Sequence, residues 1–301
     1  MKQKYQQLKK ILGKEKIKKI KVDEPMDKHT SFRIGGPADL FLEANTESKF
    51  IRSVKAFKKT KTPFFILGRG TNLLVSDKGF RGVVIKRICP KASVKKQKII
   101  ADSHLALNDL VNFACNHSLS GLENLTGIPG SVGGAIRGNA GAWRTTIGDL
   151  VSRVKILDEK GKVFWINKKD CQFSYRESRF KKGSKIILSA EFELEKKSKS
   201  EIKRVIREIT KKRENLPCQP SAGCIFINPE TKPAGWLIEQ AGLKGKKIGQ
   251  AQISPIHANF IVNLGKARAK DVVRLISLAR KRVREKFNLD LTEEIVKLGD
   301  F

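Results

Sequence analysis

The stretch Gly127-Ile128-Pro129-Gly130-Ser131-Val132-Gly133-Gly134-Ala135, continued by Asn139-Ala140-Gly141-Ala142, restricts this chain more than any other feature. It is too glycine-dense for a helix or strand interior, so the sequence predicts an irregular loop. Glycine tolerates positive φ and close backbone approach, which lets several N–H groups converge on a phosphate or the edge of a flat ring. The Walker and Gly-x-Gly-x-x-Gly patterns do not fit, because the required lysine and strand-turn-helix context are missing. A second loop, Gly68-Arg69-Gly70-Thr71-Asn72, follows a predicted strand and offers backbone donors, an amide and a hydroxyl. Ligand pockets favour domain interfaces, so two such loops in two lobes are expected to hold one ligand.

At 301 residues, 40% of them hydrophobic, the chain exceeds what one core serves and is expected to form two or three lobes. Phe50, Val54 and Phe57 recur at helical spacing, and Pro63 introduces a strand at Phe64 to Leu67. Strands are predicted at Leu73 to Val75 and Val83 to Ile85, a short one from Ile99, and a helix at Leu107 to Leu119. The segments Val151 to Leu157 and Val163 to Ile166 flank the turn Asp158-Glu159-Lys160-Gly161 as a hairpin. A strand at Ile186 to Leu194 closes the second lobe. The third opens with a helix bearing Ile202, Val205, Ile206 and Ile209, followed by a loop from Pro217 to Pro229. A short helix near Ala234 to Ala241, a strand at Phe260 to Val262, a long helix from Ala269 to Phe287 and a last strand from Leu291 to Leu298 complete it. The expected division is a basic segment 1–25, lobes at 26–92 and 93–195, and a third domain at 196–301.

Lys and Arg number 62 against 30 Asp and Glu, a net charge of +32 with a sequence pI near 10.1. Such a field attracts polyanions. The lysines are spread along the whole chain, however, which argues for a solvated basic surface and against a nucleic-acid-binding protein. The N-terminus carries lysines throughout and lacks a signal-peptide core, and its Tyr5, Leu8, Ile11 and Leu12 predict an amphipathic basic helix. No run of about twenty apolar residues predicts membrane insertion. Five scattered cysteines without a Cys-x-x-Cys pair and four histidines without ligand spacing predict reduced thiols, no metal site and a cytoplasmic location.

Six motifs carry a resemblance. Thr30 to Asp39 (TSFRIGGPAD), Leu67 to Val75, Gly127 to Ala142, Tyr175 to Phe180 (YRESRF), Ser221 to Pro229 (SAGCIFINP) and Leu291 to Val296 (LTEEIV) occur in the order seen in UDP-N-acetylenolpyruvoylglucosamine reductases. From about residue 25 to the end the chain resembles that family, in the branch lacking an extra tyrosine-bearing insertion. The resemblance implies an α+β fold: a two-lobed FAD-binding domain of the vanillyl-alcohol-oxidase type and a C-terminal α/β substrate domain. It implies non-covalent FAD held at Gly68 to Asn72, Gly127 to Ser131, Gly133 to Ala135 and Asn139. The implied reaction uses NADPH to reduce the enolpyruvyl ether of UDP-N-acetylglucosamine to UDP-N-acetylmuramate for peptidoglycan synthesis, in a monomer. Another FAD oxidoreductase of the same superfold, acting on a hydroxy acid or sugar, is the alternative.

Within the resemblance, Arg176 takes the role of the cation beside the substrate carboxylate, where its planar fork suits the charge that builds in the transition state. Glu294, rather than its neighbour Glu293, matches the glutamate near the enolpyruvyl group. Cys224 stands where the family usually has a proton-donating serine. A thiol with an ordinary pKa near 8.5 is mostly protonated at neutral pH and is a stronger acid than a hydroxyl. Asn228 matches an asparagine on the substrate pyrophosphate. The lysine that usually shares that duty has no clear counterpart among Lys211, Lys212 and Arg213, and His257 and Asn259 are expected to support the pocket.

Overall fold

Thr46 begins the first long helix because its side-chain oxygen accepts the Lys49 N–H at 3.1 Å, and Glu47–Lys59 then buries Phe50, Val54 and Phe57 on one stripe. Thr60 ends that helix, and Pro63 hands the chain to the strand Phe64–Ile66, as the sequence predicts. The computed structural model describes residues 5–15, 17 and 20–301. Of the N-terminal basic segment it describes the helix Gln6–Lys14, with Leu8 and Leu12 buried; parts of 1–25 lie outside the described residues.

The chain divides into two compact units built from interleaved segments. The first comprises 1–20, 42–69 and 85–214, the second 21–41, 70–84 and 215–301. The strands Pro37–Ala44 and Phe80–Arg87 each begin in the second unit and end in the first.

A five-stranded sheet forms the centre of the first unit, in the order Val163–Asn167, Val151–Leu157, Ile186–Glu193, Lys98–Asp102, Ala92–Lys95, with antiparallel neighbours throughout. The predicted hairpin is present, with Leu157 opposite Val163. Leu107–Asn116 and Val132–Gly138 supply Leu107, Leu110, Val132 and Ile136 to its core. The second helix is a departure from the predicted loop. Ser131 caps it by accepting the Gly134 N–H, and left-handed Asn139 (φ +43°) ends it. Gly133 lies so close to Ser103 that its N–H reaches the Ser103 carbonyl at 2.7 Å. Burial of Val132, Ala135 and Ile136 outweighs the roughly 1 kcal/mol helix penalty of each glycine.

In the second unit a four-stranded antiparallel sheet, in the order Ser221–Cys224, Phe260–Asn263, Ala251–Ile253, Lys247–Ile248, packs against Ala269–Phe287. That helix buries Val272, Leu275, Ile276, Ala279 and Val283, the predicted stripe. The predicted Pro217 to Pro229 loop therefore contains a strand, because Ser221 and Cys224 pair with Val262 and Phe260. The predicted last strand is shorter than Leu291 to Leu298. Only Val296–Leu298 pairs regularly, parallel to Leu73–Val75, since the Ile225 carbonyl accepts from both Glu294 N (2.8 Å) and Ile295 N (3.4 Å) and so interrupts the extended run.

His104 packs edge-on against Phe50 in the first unit, with Nδ1 3.0 Å from the Ser103 hydroxyl. Burial, assisted by Arg87 and Lys86 and opposed by the Leu67 backbone, pulls its pKa down from 6.5 to about 4. On acidification the unfolded chain takes up this proton before the folded one, so the stability contributed by neutral His104 is complete above about pH 6.5 and is lost as pH falls toward 4. Thermal unfolding followed between pH 7 and 5 is expected to show a falling midpoint in the parent protein and a flatter profile in His104→Phe; identical slopes would remove His104 as the cause.

Candidate active site

The glycine-dense stretch and the turn bearing Arg176 belong to the first unit. Gly127 has φ +73°, and the space its Cβ would need is filled by Arg213, whose Cδ would lie 2.6 Å away. A side chain at Gly68 would likewise collide with the hydroxyl of buried Ser131, so the two loops meet in close backbone approach. Ile128 packs on the core while Pro129 is exposed. Asn139 is 4% exposed, and its amide joins two parts of the site: Nδ2 donates to Ser174 O at 2.8 Å and Oδ1 accepts from Gly148 N at 3.0 Å.

That bond to Ser174 anchors a tight turn. Ser174 and Glu177 exchange two backbone hydrogen bonds of 3.1 Å, leaving Tyr175 and Arg176 at the tip. Arg176 has φ +53°, a conformation unfavourable for a side chain of its size, and its Nη1 donates to Gly141 O at 3.2 Å. Ser178 donates to the Arg137 carbonyl at 2.7 Å. The Arg176 turn is thus tied to the C-terminal part of the glycine-dense stretch, at Arg137, Asn139 and Gly141. Lys212 lies 5.1 Å from the Trp143 ring centroid, close to the same hairpin.

The second unit brings Cys224 and Glu294 to the same backbone. Asn259, 2% exposed, uses Oδ1 to accept the Phe226 N–H (2.9 Å) and Nδ2 to donate to the Phe226 carbonyl (2.8 Å), while its own carbonyl accepts Ile225 N at 2.8 Å. The residues after Cys224 are therefore clamped on one side. On the other side Glu294 N donates to the Ile225 carbonyl, and Phe226 bridges Glu293. Asn259 N in turn donates to Nδ1 of His257, whose pKa is lowered chiefly by burial, so the imidazole is kept neutral to accept this bond. The expectation that His257 and Asn259 support the pocket undersold Asn259, whose amide replaces a missing strand. A buried asparagine two residues after a histidine gives no warning of that geometry.

Glu293 is occupied elsewhere, 2.7 Å from Lys297 and 3.7 Å from Arg280. Asn72 Nδ2 donates to the Glu294 carbonyl at 3.0 Å, and Val296 N donates to Asn72 O at 3.1 Å, so Asn72 brackets the glutamate. Gly70, at φ +65°, passes so close to the His29 carbonyl that a Cβ has no room; Thr71 follows it, while Gly68 and exposed Arg69 belong to the first unit. Asn228 accepts the Ala234 N–H at 3.0 Å, which anchors the helix Ala234–Gln240.

The five cysteines are free thiols. Among the described residues no group of three or more His, Cys, Asp or Glu could hold a metal, and no helix is long and apolar enough to cross a membrane. The close approach of Gly68 to Ser131, together with Gly127 and Gly130 at positive φ, fits a large phosphate-bearing cofactor that needs close backbone approach.

Known proteins agree with this division of labour. Residues 38–167 match the FAD binding domain family, and residues 214–298 match the C-terminal domain of UDP-N-acetylenolpyruvoylglucosamine reductase. A UDP-N-acetylenolpyruvoylglucosamine reductase of Clostridium kluyveri is 41% identical over 287 residues, 94% of each chain. One of Caldanaerobacter subterraneus is 43% identical over 285 residues, again 94% of each. The crystal structure of the Thermus caldophilus reductase superposes with a TM-score of 0.80 at 34% identity, covering 93% of this chain and 98% of that one. With an FAD binding domain and the C-terminal domain of these reductases, the chain belongs to the UDP-N-acetylenolpyruvoylglucosamine reductase family of FAD-dependent oxidoreductases.

Proposed function

We propose that Arg176, Cys224 and Glu294 carry the reduction of UDP-N-acetylglucosamine enolpyruvate by NADPH in this chain, with Asn228 on the pyrophosphate. The observation that supports the reading is the pairing of Glu294 N with the carbonyl of Ile225, the residue after Cys224, between two neighbouring segments of backbone. Gly68 to Asn72, Gly127 to Ser131, Gly133 to Ala135 and Asn139 would hold FAD, which would supply the hydride-transfer chemistry between NADPH and the substrate methylene.

The chain's own residues manage charge and proton. As the double bond is reduced, electron density moves onto the substrate carboxylate. A guanidinium held rigidly beside it stabilises that state more than the ground state. The two backbone bonds of the Ser174 to Glu177 turn and the Arg176 bond to Gly141 limit how far that group can drift. Cys224 gives its thiol proton to the carbon bearing the carboxylate. Glu294, next to an anionic substrate group, acts protonated or paired with a cation. The lobes 26–92 and 93–195 are assigned to FAD and 196–301 to the substrate, in a cytoplasmic monomer whose mass light scattering would report.

Stopped-flow absorbance separates the two half-reactions. Arg176→Ala and Glu294→Ala are expected to keep FAD and its reduction by NADPH, while reoxidation by the enolpyruvyl substrate slows by about 100-fold or more. Loss of FAD with normal reoxidation after reconstitution would make the residue structural. Turnover is expected to fall as pH rises through the Cys224 pKa, because thiolate has no proton to give. Cys224→Ser should retain activity without that alkaline limb and Cys224→Ala should lose about 100-fold in reoxidation. A prereduced Cys224→Ala that reoxidises at the parent rate would assign the proton to solvent or Glu294. Asn259→Ala leaves the Phe226 amide and carbonyl buried without their partner, a cost of about 1–3 kcal/mol for each group. A lower unfolding midpoint together with slowed reoxidation and unchanged NADPH reduction is expected; a lower midpoint alone would limit Asn259 to stability.

A further inference from the structure

A cavity of about 890 Å³ in the second unit is lined by none of the residues assigned above to catalysis or to FAD. It opens at the far end of the parallel pair Leu73–Val75 and Val296–Leu298. Asn72 and Glu294 flank the near ends of those strands, whereas Ser76, four residues and about 13 Å beyond Asn72 at the rise of a strand, and Asp300 line the cavity. Six cations surround it: Arg33, Lys78, Lys266, Arg268, Lys270 and Arg274. Among the described residues none of the six makes an ion pair, although lysines elsewhere do so closely, as Lys155 does with Glu47 (2.6 Å) and Lys244 with Glu239 (2.9 Å). Three aspartates also line the cavity, Asp27, Asp77 and Asp300, leaving an excess of cations; Asp77 is engaged by Ala269 N at 2.8 Å and Lys270 N at 3.1 Å, and Asp27 by Lys28 N at 2.8 Å.

The walls are also held by design of the backbone. Asn263, 3% exposed, donates to the carbonyls of Phe32 (3.0 Å) and Arg33 (3.3 Å) and accepts from Gly265 N (2.8 Å) and Ala267 N (3.0 Å). One buried amide thus fixes both cation-bearing turns. Arg33 has φ +53°, a costly conformation for a non-glycine residue, between Phe32 (0% exposed) and Ile34 (2%), which are both committed to the core. The strain places the one charged residue of this turn at the cavity. Gly36 packs against the Asp77 backbone with no room for a Cβ, which closes the floor.

We infer that this cavity binds a small oligophosphate, alone or as the tail of a nucleotide. Several cations exposed around one space hold adjacent phosphoryl groups better than a single charge does, and the volume lies within the ~300–1,000 Å³ range of small-molecule sites. Isothermal titration of the FAD-loaded enzyme with tripolyphosphate and, separately, with ATP tests it. Single-site binding that weakens with added salt is expected. Lys270→Glu combined with Arg274→Glu should weaken it by about tenfold or more, through loss of two charge-assisted contacts. Arg33→Gly, which relieves the strained φ, should weaken binding without lowering the unfolding midpoint. Lys160→Glu combined with Lys162→Glu, the same charge change on an exposed hairpin turn of the first unit, should leave it unchanged. Tighter binding of ATP identifies a nucleotide ligand, and equal binding identifies the phosphate chain alone. No binding by either probe, equal weakening in the two double variants, or displacement of the probe by the UDP-sugar substrate would overturn the inference. Because the readout is binding rather than turnover, it stands or fails separately from the catalytic assignments.

Discussion

The double hydrogen bond between the Asn259 amide and the Phe226 backbone is the constraint on which the position of the Cys224 and Glu294 segments depends. Phe226 is buried and sits between the strand ending at Cys224 and the segment carrying Glu294, where no neighbouring strand satisfies its amide and carbonyl from the Asn259 side. A buried peptide group left unpaired is expensive, so the side-chain amide that mimics a strand edge fixes the loop in one position. Asn139 and Asn263 repeat the device. The first ties the glycine-dense stretch to the Arg176 turn, and the second ties the Arg33 turn to the Gly265 turn. In each case a neutral side chain with both donor and acceptor replaces regular pairing without the desolvation cost of a charge.

Glycine does complementary work in the first unit. At Gly127 and Gly68 the missing Cβ leaves room for Arg213 and Ser131, and at Gly133 it lets a short helix press against Ser103. The glycine-dense stretch is therefore partly helical, because packing of Val132, Ala135 and Ile136 exceeds the cost of their glycine neighbours. Left-handed residues cluster in this functional part of the chain: Asn139, Trp143, Arg144 and Arg176 all have positive φ. Strained backbone persists only where surrounding bonds over-determine it, as the Ser174 to Glu177 turn does for Arg176.

The surplus of positive charge has a local meaning as well as a general one. Glu293 is taken up by Lys297 and Arg280, and Glu47 by Lys155, so carboxylates are scarce and mostly occupied. A chain at +32 cannot neutralise every cation internally. Where six cations line one space with no ion pair among the described residues, electrostatic repulsion among them would be relieved by an anion from solution.

The sequence by itself determined the helices and most strands, since the stripes Phe50, Val54, Phe57 and Val272 to Val283 and the Pro63 and Gly161 breaks are local signals of periodicity and turn chemistry. It also determined the family and the FAD chemistry, because six ordered motifs are written in residue identities. Tertiary structure alone decided that Gly133 and Gly134 enter a helix, that Ser221–Cys224 is a strand, and that regular pairing at the C-terminus waits until Val296. Each of those depends on a partner distant in the chain: Ser103, Phe260 and Ile225. The clamp of Asn259 on Phe226 spans 33 positions and that of Asn263 on Phe32 spans 231, separations at which no spacing rule operates, so only the folded chain could bring those amides to the backbone they satisfy.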